Sequence, residues 1–136
     1  MKIFIVCSKY FYDRIVPVKS FLEERGHEIV LPNSFYNPSS ESVAKMKGQK
    51  EHVEFKGEMF RKSKDKIKGV DVVLVLNLEK RGIPNYIGGA TFLEIYDAWQ
   101  FGKKIFFYND LPNCSFTDEL IGFDPVVING DLEMVR

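Results

Sequence analysis

Residues 69–76 read Gly-Val-Asp-Val-Val-Leu-Val-Leu, with apolar side chains at consecutive rather than alternate positions. A strand of that kind has to be covered on both faces, as the strands of parallel sheets are. The run Ile3-Phe-Ile-Val6 has the same character, and residues 27–31, 104–108 and 126–128 are shorter runs of the same type. Helical stretches separate them. Residues 14–25 form a helix that takes Pro17 in its first turn and stops at Gly26. Residues 39–66 are polar with loosely helical apolar spacing. Gly48 and Gly57 predict a break there, into a helix of two pieces. Residues 88–101 and 117–121 complete the set, with Ser115 or Thr117 as the cap of the last helix. Strands and helices in strict alternation predict one α/β domain, residues 1–136. It is a three-layer sandwich around a five-stranded parallel sheet in the flavodoxin or Rossmann-like order 2-1-3-4-5.

Charge and cysteine usage narrow the function classes. The chain has 136 residues, and 19 Lys plus Arg balance 19 Asp plus Glu. There is thus no global electrostatic pull toward a nucleic-acid polymer or an anionic membrane. The basic stretch 61–68 reads as the solvated end of a helix. The apolar opening, residues 1–7, is too short to span a bilayer and reads as a strand. Cys7 and Cys114 match no metal or redox spacing, and His27 and His52 are the only imidazoles. No metal site is expected, and reduced thiols place the protein in the cytoplasm.

The helix 88–101 carries the strongest functional signal. It is apolar on nearly every side, with Ile87, Phe92, Leu93, Ile95, Tyr96 and Trp99, and Gly102 ends it. Such a helix has no ordinary polar face, which predicts a subunit interface and a homo-oligomer. Glu94 lies inside it, with Asp97 a turn later. A carboxylate in that setting is paired, sits at a wet cleft, or serves as nucleophile or acid/base. Gly88 and Gly89 open the helix. They either present free amides to an anion or simply permit a tight turn. In an open parallel sheet the cleft lies beyond the strand carboxyl ends. Residues 7–12, 32–35, 77–89 and 109–112 would line it. Asp71 falls at the opposite end of its strand and reads as a loop cap. The many edge aromatics, Tyr10, Tyr12, Phe35 and Tyr86 among them, favour a flat ligand.

Three features together resemble the nucleoside 2-deoxyribosyltransferase superfamily: the opening Ile3-Phe-Ile-Val-Cys-Ser8, the strand Asp71-Val-Val-Leu-Val-Leu-Asn77, and Gly88-Gly-Ala-Thr-Phe-Leu-Glu94 followed by Ala98 and Gly102-Lys-Lys-Ile105. The resemblance implies that Glu94 is a nucleophile capturing C1′ of a deoxyribose. It also implies a nucleoside or nucleotide as small-molecule partner, no cofactor, and sites completed by a neighbouring subunit. The substrate-binding set is then Ser8 and Tyr10 in the first edge loop, Asn77 and Asn85 in the third, and Gly88, Gly89 and Thr91 at the helix start. The sequence departs from the family at Tyr96, where a glycine is usual, and at Ser8-Lys9-Tyr10, where the family has a small pair. The family's base-holding acid sits in the loop before this helix, where the candidates here are Asn77, Glu79 and Asn85. A non-catalytic nucleotide-sensing module of the same fold is the alternative, and a flavodoxin-type mononucleotide binder a third. The surroundings of Glu94 discriminate: an unpaired carboxylate facing a cleft favours the enzyme, and one locked to Arg or Lys favours the module.

Overall fold

In the computed structural model, which describes residues 1–136, all five strands pair in parallel. They are β1 (Lys2–Val6), β2 (Glu28–Val30), β3 (Val72–Val75), β4 (Lys104–Phe107) and β5 (Val126–Val127), in the order β2-β1-β3-β4-β5. That is the expected order. Register places Ile3 beside Val72 and Val73 beside Ile105, so the apolar runs lie side by side at the sheet centre. Because side chains alternate across a strand, each run feeds two cores. Ile3, Ile5, Val72, Leu74 and Phe106 pack beneath α1 (Tyr12–Glu24). Phe4, Val6, Val73, Val75 and Phe107 pack on the other face with Ile67, Ile95, Ala98 and Leu120. These four come from α3 (Gln49–Lys68), α4 (Gly89–Gln100) and α5 (Thr117–Gly122). The result is a three-layer α/β sandwich. No helix is long and apolar enough to cross a membrane.

Several element limits differ from the sequence expectation, each for a local reason. Helix α1 starts two residues early, on a short 3-10 turn (Lys9–Phe11) whose Ser8 side chain accepts from the Tyr10 amide. Pro17 therefore sits inside the helix rather than in its first turn. Its missing N–H would have met the carbonyl of Asp13, and both residues are exposed, so water can take that carbonyl. The polar segment does divide, into α2 (Ser40–Lys47) and α3, at Gly48 alone. Gly48 has φ 143°, a conformation closed to side-chain-bearing residues. Gly57 stays within α3. Neither Ser115 nor Thr117 caps α5; the Thr117 hydroxyl instead accepts from the Cys114 amide and donates to the Pro112 carbonyl, folding the preceding loop. Asp71 accepts from the Lys2 amide at 2.8 Å and ties strand starts together, the capping role expected of it.

Candidate active site

A cavity of about 690 Å³ opens at the carboxyl end of β1, within the range of small-molecule sites. Cys7, Ser8 and Tyr12 form one side, Pro32 to Ser34 another, and the first two turns of α4 a third. The last wall is the face of α3 from Phe55 to Lys64. This cleft is displaced from the expected one. Residues 77–86 and 109–112 do not line it, because those two loops are folded onto each other. Asn77, with no exposed surface, donates to the carbonyls of Asn109 and Asp110 and accepts from the Asn109 amide, each at 2.9 Å. The Asn109 side chain returns a bond to the Asn77 carbonyl at 3.0 Å.

The sequence-derived residues divide accordingly. Ser8, Gly88, Gly89, Thr91 and Glu94 all line the cavity. Tyr10, Asn77 and Asn85 lie outside its lining. Tyr10 is half exposed, its ring edge-on to Phe11 with Lys80 and Arg81 nearby. Asn85 takes a left-handed turn at φ 55°, a conformation its short amide tolerates. The two glycines answer differently to the two readings posed for them. A side chain at Gly88 would press on the Tyr86 hydroxyl at 3.3 Å, so this glycine serves packing. At Gly89 nothing lies within 4 Å; the backbone there is bare toward the cavity. No side chain caps this helix start, which leaves first-turn amides unpaired.

Glu94 reaches the cavity from the second turn of α4. The α4 residues Thr91, Ile95 and Ala98 are buried against the sheet, and Glu94 lies between that face and the wall made by α3. Its Oε2 accepts from the Ser63 hydroxyl of α3 at 2.9 Å. Its Oε1 has no hydrogen-bond partner, and no lysine or arginine comes close enough for an ion pair. Burial raises the Glu94 carboxyl to about 7. The Ser63 bond and the positive charge of Lys66 and Lys56 oppose that rise, and Asp97 adds to it. Burial, with the Glu94 charge a smaller cause, pushes the Cys7 thiol up. Tyr12 is raised by burial, then by Cys7 and Glu94, and keeps its proton. Lys66 is shifted down by its own burial and donates to the Leu31 carbonyl at 2.8 Å.

No protein-family model matches the chain, and a search of curated proteins finds none that matches. Among solved structures, the CMP N-glycosidase BcmB of Clostridium botulinum is similar over 99% of this chain and 98% of its own, with a TM-score of 0.54 at 18% identity. The two chains share a fold. The five-stranded parallel α/β architecture suggested by the sequence is therefore the architecture found, and it is shared with that enzyme. Sequence reasoning missed Ser63 and the whole α3 wall, and it placed Asn33 in the cleft lining without giving it a role. The signal available was Ser63 itself, which stands between Met59 and Ile67 at four-residue spacing and so interrupts an apolar helix stripe.

Proposed function

We propose that the protein cleaves the N-glycosidic bond of a deoxyribonucleoside or deoxyribonucleotide, with Glu94 as nucleophile. One observation carries this reading: Glu94 faces a ligand-sized cavity with one oxygen held by Ser63 and the other free, and with no cation locked to it. That arrangement favours an enzyme over a binding module. The neighbour of like fold acts on a nucleotide at the same kind of bond, as its name states. Tyr96, the residue that would crowd the cleft in a binding module, lines the cavity at its exposed rim, where its ring stacks on Trp99 with centroids 6.1 Å apart.

The chemistry is a double displacement. Oε1 of Glu94 attacks C1′ as the C1′–N bond breaks, and the bond's electron pair leaves with the base, which takes up a proton. Water then attacks C1′ of the glycosyl ester. It releases the sugar and a proton and restores the carboxylate. A second base in place of water makes the reaction a transfer. Tyr12 and Ser8 offer hydroxyls to the sugar. The bare amides at Gly89 and Ala90 and the Lys9 ammonium suit a 5′-phosphate. Attack needs the ionised carboxylate, so kcat/KM rises with pH to a plateau above about 7.

A second copy of the chain fits the same reading. Leu93, Tyr96 and Trp99 are exposed along one side of α4, and Leu93 and Tyr96 also line the cavity. A homo-oligomer that covers this side would close the cavity mouth with residues of the neighbour.

The test is to incubate the protein with deoxyribonucleosides, their 5′-monophosphates and CMP, with and without adenine as acceptor. Free base is followed by chromatography. Base release or exchange that vanishes in Glu94→Ala supports the reading. Silence across the panel, with thermal stabilisation by a nucleotide, would favour the sensing module.

A further inference from the structure

Ser63 is a buried polar residue on α3, 7% exposed, and its hydroxyl has one proton to give. Asn33, from the turn after β2, settles where that proton goes. Its amide nitrogen donates to Ser63 Oγ at 2.9 Å and to the Met59 carbonyl at 3.2 Å. A flipped amide would set oxygen against the Met59 carbonyl, so the orientation of Asn33 is fixed. Ser63 Oγ thus accepts from Asn33 and donates to Glu94 Oε2 at 2.9 Å. The three groups form a one-way chain ending on the carboxylate. This orientation leaves Asn33 Oδ1 buried with no partner. An orphaned buried acceptor is costly, and native structures hold few of them. Turning the amide to satisfy it would break the chain.

We propose that Asn33 and Ser63 are positioning residues: they hold Glu94 by Oε2, favour its ionised form and leave Oε1 as the reacting atom. The last clause rests on the reading of Glu94 as nucleophile; the first two do not. Other charged and titratable groups surround the carboxylate: Lys56 and Lys66 on α3, Cys7 and Tyr12 at the β1 end, and Asp97 on α4. None of these hydrogen-bonds to it; Ser63 does.

The experiment follows the Glu94 carboxyl directly, by carbon-detected NMR titration of the full chain labelled at glutamate, with Glu94→Gln identifying the signal. The wild-type midpoint is expected near 7. Loss of a hydrogen bond to the charged form should raise it by about one unit in Ser63→Ala. Ser63→Thr keeps a hydroxyl and should return it. Asn33→Asp would draw the Ser63 proton to itself and add a like charge, so it too should raise the midpoint. It serves as the reading if Ser63→Ala does not fold. The pH profile of kcat should move with the midpoint while KM changes little. An unmoved midpoint in Ser63→Ala, or in Asn33→Asp should it be needed, overturns the inference whether or not turnover is seen. A moved midpoint alongside an active Glu94→Gln keeps the relay and removes the nucleophile instead.

Discussion

Two asparagines at the carboxyl edge of the sheet stand in opposite conditions. Asn77 has both ends of its amide engaged and pins two loops shut. Asn33 spends its nitrogen on Ser63 and Met59 and leaves its oxygen with nothing. Both are polar groups shielded from water, where unmade hydrogen bonds are costly. The first network is complete and fixes the fold. The second is incomplete and points at a carboxylate in a cavity. Completeness of the polar accounting thus separates scaffold from candidate site more sharply than position on the sheet edge, which the two share.

Substitutions in the two regions should give different readouts. The largest effect is expected on the Glu94 side: Glu94→Ala should lower base release or exchange by about a thousandfold or more, with the circular dichroism spectrum unchanged. Retained turnover would take the incomplete site out of the chemistry. On the Asn77 side, Asn77→Ala strands two carbonyls and an amide, and urea unfolding should show a loss of about 3 kcal/mol. The Glu94 titration should stay where it was, and a shift there would mean that the two regions are coupled.

A smaller effect ties the sites to stability. The raised Glu94 carboxyl keeps its proton in the folded state to about pH 7, whereas the unfolded chain releases it near 4.5. Between those values the folded state binds more protons, so stability falls as pH rises through the window and levels off above it. Glu94→Gln removes this penalty. It should unfold no later than wild type at pH 4 and be more stable by about 2 kcal/mol at pH 8, less than the full shift implies because the carboxylate is partly open to water in the cavity. Equal stabilities at pH 8 would show that the carboxylate is better solvated than its burial implies. Smallest of all, Trp99→Asp should leave the monomer's fold intact and shift light-scattering mass downward if the α4 side carries a second copy.

Much of the scaffold was legible because consecutive apolar residues have one physical solution, a strand covered twice. Glu94 stood out for a related reason: a carboxylate in an apolar helix has few stable explanations. The opposite wall was not legible. Residues 39–66 read as a polar helix in two pieces with a solvated basic end, and only packing shows which of its faces meets α4. A serine in a lysine-rich helix carries little weight in sequence, and Asn33 looks like any turn asparagine. Pro17 misled about the helix start, since a proline marks a first turn only when the missing bond would have been buried. Asn77 was placed at the cleft by its position past β3, but its partner is the loop after β4. That pairing depends on contacts 32 residues apart.

The two cysteines differ in a way that has a practical use. Cys114 is exposed, while Cys7 lies at the cavity wall with its thiol driven toward the protonated form. An alkylating reagent should therefore mark Cys114 quickly and reach Cys7 slowly. Whatever fills the cavity should slow the second step further and leave the first untouched. The protein in this way carries its own internal standard: the ratio of the two labels, read by mass spectrometry, reports occupancy whatever the occupant is.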